Sequence, residues 1–149
     1  MANRHKQAAY AAEPPVPKKA RYSRYPTEQK SADLIAWRIG DVELAGPWPF
    51  SVMSLEQAQA IHRFLSEMEK RTWEDACFGG KPVRQVRVRD APEAVRKRLE
   101  ETKRDDVDCL AELLMGGLPR IWGVRRGNAC HLLWWDPEHK VWPSPKRRT

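Results

Sequence analysis

From about residue 32 onward, apolar positions recur with two alternating spacings, and each change of spacing marks an element. Leu34 to Leu44 (LIAWRIGDVEL) is apolar in short bursts around Gly40-Asp41, which predicts a strand pair with a turn between. Gly46-Pro47-Trp48-Pro49-Phe50 follows as a stiff loop whose aromatics are placed to cover one end of a core. Leu55, Ala58, Ile61, Leu65, Met68 and Thr72 then recur at alternating three and four, the period of one helix face. Ser54 with Gln57 three residues on predicts a capping box at its start, and Gly79-Gly80 marks its end. His62 lies on this helix beside Ile61 and reads as a packed or solvated side chain.

Val83 to Val88 (VRQVRV) returns to a period of two, with Val86 and Val88 on one face and Arg87 and Arg89 on the other. Asp90 and Glu93 predict a second capping box, with Pro92 in the first turn and Val95, Leu99 and Thr102 as a narrow apolar stripe. After the acidic link Asp105–Asp108, Cys109 to Met115 (CLAELLM) fits helix or strand by period alone. The Gly116–Pro119 turn, the strand-like Arg120 to Arg126, the tight Gly127-Asn128 turn and the return over Ala129 to Trp135 favour a three-stranded meander. The expected fold class is α+β: an antiparallel sheet ending in this meander, with two helices packed on one face. Adjacent Trp134 and Trp135 must face opposite sides of such a sheet, so one is expected to face solvent and anchor a partner chain.

Charge divides the chain differently. Of the formal +7, residues 1–31 hold seven Lys/Arg against two acids, and residues 143–149 hold Lys146, Arg147 and Arg148 with no acid, so residues 32–142 are almost neutral. This predicts a disordered basic tail over 1–31, a single domain over 32–142 and a basic C-terminal tail. Inside the domain, residues 81–104 are locally basic, with nine Lys/Arg against four acids. Three cysteines without a CxxC pair fit a reduced, cytoplasmic protein better than a disulfide framework or zinc site. No apolar run approaches the ~20 residues of a membrane helix, and the N-terminus lacks the apolar stretch of a signal peptide. Neither a metal nor another cofactor is expected.

Candidate chemistry concentrates between Arg120 and Thr149. Metal-independent RNA cleavage needs a proton-transfer group and cations on the phosphate. Histidine's ordinary pKa of ~6.5 suits His139 to the first role. Arg120 and Arg126, on one face of an alternating strand, are candidates for the second, with Arg125 opposite and His131 a further proton-transfer candidate. Arg84, Arg87, Arg89 and Arg96 could track an RNA backbone with Lys146, Arg147 and Arg148, or simply form solvated faces. The competing reading of Asp136-Pro137-Glu138-His139 is a turn after the last strand, capped by the Asp136 carboxylate, with His139 bonded locally.

The order Leu113-Leu114-Met115-Gly116-Gly117-Leu118-Pro119-Arg120-Ile121-Trp122-Gly123-Val124, then Leu132-Leu133-Trp134-Trp135, then His139 and a basic end, resembles the RelE/ParE/HigB superfamily of bacterial toxins. The resemblance covers about residues 108–149, and the helices in type only. LLWWDPEHKVWPS is also similar to the C-terminal signature of small uncharacterised prokaryotic proteins, a likeness that implies no activity. The superfamily resemblance implies a RelE-like sheet and a toxin-like protein of a toxin-antitoxin system, acting as an mRNA endoribonuclease at the ribosome and held by a cognate antitoxin. It implies a phosphate-binding role for Arg120, proton transfer for His139 and RNA contacts for the basic end. Asp136 and Glu138 depart from the pattern, since their charge beside His139 opposes a phosphate there. The acidic link and the long leader depart as well. The alternative function is a non-catalytic protein-protein interaction module using the Trp-rich sheet face.

Overall fold

The structure, a computed structural model, describes residues 33–143. The expectations for residues 1–31 and for Lys146, Arg147 and Arg148 lie outside the described residues. Strand β1 (Ala36–Arg38) leads through a 3-10 turn at Phe50–Val52 into helix α1 (Leu55–Met68) and the short helix α2 (Trp73–Cys77). Then come strand β2 (Val83–Arg87), helix α3 (Glu93–Glu101), and strands β3 (Cys109–Leu114), β4 (Arg120–Arg126) and β5 (Ala129–Asp136). Among the described residues, no helix is long and apolar enough to cross a membrane.

The five strands form one sheet in the order β1-β5-β4-β3-β2. β2 to β5 pair antiparallel, and β3–β4–β5 is the expected meander, closed by Gly127 at φ +62 as a tight turn beginning with glycine requires. The sheet is nevertheless mixed, because β1 lies parallel to β5, Ala36 opposite Ala129. The expected strand pair over 34–44 is reduced to β1. After Arg38 the backbone turns on itself, Val42 N–H donating to the Ile39 carbonyl, and Glu43 N–H then bonds Leu133. Its hydrogen bonds are therefore satisfied by β5 rather than by a hairpin partner.

Local signals explain the helix ends. Ser54 and Gln57 exchange both capping-box bonds at 3.0 Å. α1 stops at Met68, earlier than expected, because Thr72 is not the end of its stripe but the cap of α2, accepting from Asp75 N–H at 3.2 Å. The second capping box does not form. Asp90 closes a 3-10 turn, and α3 begins after Pro92 with no side-chain cap.

The helices lie on both faces of the sheet, not on one. Ile61 and Met68 of α1 and Trp73 and Ala76 of α2 pack with Leu113, Ile121, Leu132 and Trp135. Val95 and Leu99 of α3 pack with Leu110, Trp122, Val124, Leu133 and Trp134 in a second cluster. β5 is therefore buried on both sides, which explains its nearly unbroken apolar run. Trp134 and Trp135 do enter opposite faces, but neither meets solvent, at 0% and 2% exposure. The expected outward tryptophan required an uncovered face, and α3 with the 45–50 loop covers it. That loop places Phe50 against Trp135 in one cluster and Trp48 against Trp134 in the other.

A bulge tunes this arrangement. Trp122 faces Trp134 while Gly123 faces Leu132, so Leu133 is the extra residue and joins Trp134 on one face. Gly123 is required at the bulge: a Cβ there would lie 2.6 Å from the His131 carbonyl oxygen and 2.8 Å from the Cys130 Sγ. Gly123→Ala is expected to cost about 1–3 kcal/mol through the forced shift of β5. Urea denaturation checks this, and a change below about 0.5 kcal/mol would mean that the bulge relaxes freely.

Candidate functional site

Glu112 in β3 is the centre of the site. It is a lone charged residue in an apolar strand, 4% exposed, and its register pairs place it beside Arg84 of β2 and Trp122 of β4. Alternation sends its side chain to the α3 side of the sheet with Trp122. Arg84 Nε lies 3.1 Å from Glu112 Oε1. Arg120 Nε and His139 Nε2 approach the other oxygen, Oε2, at 3.7 and 3.6 Å. Both distances exceed hydrogen-bond length: the Arg120 contact is a charge pair, and the His139 contact sets the Nε2 edge of the ring toward the carboxylate.

The turn after β5 brings His139 there. The Asp136 carboxylate, 2% exposed, accepts from Lys140 N–H at 2.7 Å, Val141 N–H at 3.0 Å and Trp122 Nε1 at 3.2 Å. Asp136 therefore caps the turn, as the competing sequence reading held. His139 does not bond locally, however. It takes φ +57 and turns its ring back onto Glu112. A left-handed histidine costs on the order of 1 kcal/mol, and such strain persists where the surroundings over-determine it. Glu138 is engaged elsewhere, 2.6 Å from Lys140. That hydrogen bond holds the Glu138 carboxyl below its usual range and raises the Lys140 ammonium. The acids flanking His139 in sequence are thus committed to the turn and to Lys140, and its carboxylate neighbour is Glu112.

Arg84, Glu112 and His139 line a cavity of about 210 Å³ whose remaining wall is Val86, Trp122, Trp142 and Pro143. Arg120 sits behind it, 8% exposed, with Nη1 donating to the carbonyls of Gly117 at 2.6 Å and Pro119 at 3.0 Å. Its guanidinium is occupied by the β3–β4 turn and by Glu112, whereas Arg84 is half exposed at the mouth.

The other basic candidates separate. Arg87 and Arg89 line a groove with Asp105 and Asp108 at the β2–β3 end. Arg96 is exposed on α3. Arg126 is exposed at the far end of β4, six residues or roughly 20 Å along the strand from Arg120. His131 pairs with Asp41 at 3.3 Å, and Arg125 lies over the Trp73 ring at 5.1 Å on the opposite face. Cys130 is buried with its thiol pushed up to about 12 by desolvation, so it is no nucleophile near neutral pH. Among the described residues, no three His, Cys, Asp or Glu side chains converge as metal ligands.

A second carboxylate hub is structural. Glu43 accepts from Arg98 at 2.7 Å and from Trp134 Nε1 at 2.8 Å, binding the loop after β1 to α3 and β5. Outside it, Ile39, Val42, Leu44, Phe50 and Met53 border an open apolar groove of about 520 Å³ beside α1.

Sequence reasoning selected Arg84, Arg120 and His139, and they converge; it passed over Glu112. The visible signal for Glu112 was its charge inside CLAELLM. No family model, curated protein or solved structure matches the chain.

Proposed function

We propose that the chain is an RNA-directed, toxin-like protein that cleaves RNA without a metal at the Glu112–His139–Arg84 cavity. The observation that carries this reading is the meeting of an imidazole, a carboxylate and a half-exposed guanidinium at the mouth of one cavity. Glu112 is only 4% exposed and its Oε1 pairs with Arg84, so the imidazole is the group available to a substrate. With Nε2 toward Glu112, His139 Nδ1 takes the proton of a ribose 2′-hydroxyl. The O2′–P bond forms as the P–O5′ bond breaks, the same proton passes to O5′, and a cyclic phosphate and a 5′-hydroxyl result. Glu112 stabilises the imidazolium between these steps, and Arg84 neutralises the phosphate. Arg120 positions Glu112 rather than touching RNA. The RelE-type resemblance favours mRNA, met at the ribosome, as the natural substrate and an antitoxin as partner; the proton-transfer and phosphate-binding groups are all this chain's own, so free RNA is cut as well.

The test is cleavage of a labelled RNA by purified protein in excess EDTA. His139→Ala is expected to lower the rate about 100- to 10,000-fold, with the urea midpoint of the same variant followed to show that the fold is kept. Wild-type protein that leaves RNA intact, or a His139→Ala variant as fast as wild type, sinks this reading. A second reading, a non-catalytic interaction module, finds no support in the buried Trp134 and Trp135. Its support is the apolar groove, where the lining residues Ile39, Leu44 and Met53 are exposed.

A further inference from the structure

The cavity has a second half that the proton-transfer chemistry does not use. Opposite the charged trio, Val86, Trp122, Trp142 and Pro143 form an apolar wall. Trp122 is fully buried, and its indole N–H is given to Asp136. Trp142 stacks on it with 9° between ring planes and 6.3 Å between centroids, and it remains partly exposed. The buried tryptophan thus holds the exposed one in a fixed plane at the rim, beside Arg84 and His139.

An aromatic plane next to a phosphate-binding cation is the chemistry that takes up an unstacked nucleobase, since every base has a π-face. Resting on the ribonucleolytic reading of the same cavity, we propose that Trp142 is a base-stacking, specificity-determining residue that admits one unpaired nucleotide. A base inside a duplex has both faces covered and reaches such a wall only after unpairing, at a cost of a few kcal/mol. The wall has little with which to tell bases apart. Apart from Arg84, Glu112 and His139, the lining residues Val86, Trp122, Trp142 and Pro143 are apolar or aromatic, and the Trp122 indole N–H is given to Asp136. Selection is therefore for the unpaired state rather than for sequence.

Binding of 2′-O-methyl RNA tests this, because such strands lack the 2′-hydroxyl and are not cleaved. A labelled 12-mer is titrated with full-length protein, alone and annealed to its complement, together with A, C and U homohexamers. Trp142→Phe keeps an aromatic plane, and Trp142→Leu keeps apolar packing without one. Trp142→Leu is expected to weaken the single strand about 5- to 100-fold while leaving duplex affinity unchanged, and Trp142→Phe to stay within about 3-fold of wild type. The homohexamers are expected to agree within about 10-fold. Equal single-strand binding by Trp142→Leu and wild type overturns the proposal, as does an equal loss for the duplex, which would mark a purely structural or electrostatic role. Protein that shows the expected binding yet cleaves no RNA supports the stacking site and removes only the ribonucleolytic reading. Cleavage insensitive to Trp142→Leu removes only the stacking site.

Discussion

Glu112→Ala is expected to lower the unfolding free energy by about 3–5 kcal/mol, read as a shifted urea midpoint with an unchanged slope. Arg120 is the reason. Its side chain is 9% exposed, and Glu112 is its carboxylate partner. Removing the carboxylate leaves a buried guanidinium with only the Gly117 and Pro119 carbonyls. Arg84 adds little to this cost, because half of its side chain is in water and exposed pairs contribute about 0–1 kcal/mol. The double variant Glu112→Leu with Arg120→Met separates charge from packing. Replacing both partners by apolar groups is often neutral, so the double variant should recover most of the loss, while on the proposed mechanism neither protein cleaves RNA. If Glu112→Ala costs less than about 1 kcal/mol, Glu112 is not what holds Arg120, and the positioning role assigned to that arginine falls.

Trp134→Ala is expected to cost about 3–5 kcal/mol, a large share of the ~5–15 kcal/mol that a domain has. Trp134 is fully buried, packs 4.8 Å from the Trp48 ring and donates its indole N–H to Glu43 at 2.8 Å. Two effects therefore combine: a cavity beneath the 45–50 loop, and the loss of one donor to a buried carboxylate. Trp134→Phe isolates the second. It fills much of the cavity but leaves Glu43 Oε2 without the indole, and should cost about 1–3 kcal/mol. Denaturation of the three proteins decides between them. A phenylalanine variant as unstable as the alanine variant would mean that the bond to Glu43, and not the packed ring, dominates. A harmless alanine variant would contradict the placement of Trp134 in the second core.

The seven tryptophans show how far local pattern reaches. The opposite facing of Trp134 and Trp135 follows from the strand period alone. Their burial does not, because it depends on α3 and the 45–50 loop covering the far face of the sheet. The same division runs through the site. Arg84, Arg120 and His139 were selected by type and position, and the turn-capping role of Asp136 by the turn chemistry of aspartate. The residue on which they converge was not selected, because its importance comes from strands brought together by folding.

What the amino-acid order determined by itself is whatever a few neighbouring residues settle. Examples are the Ser54–Gln57 capping box, the Gly127-Asn128 turn, the β3–β4–β5 meander and the buried stripe of Val95 and Leu99. These rest on hydrogen bonds and periodicities a few residues long. Tertiary structure alone decided the parallel pairing of β1 with β5, the two-sided core, the bulge at Gly123 and the placement of His139 against Glu112. Each joins segments distant in sequence, and the free energy that selects among such pairings comes from burying both faces of the sheet at once.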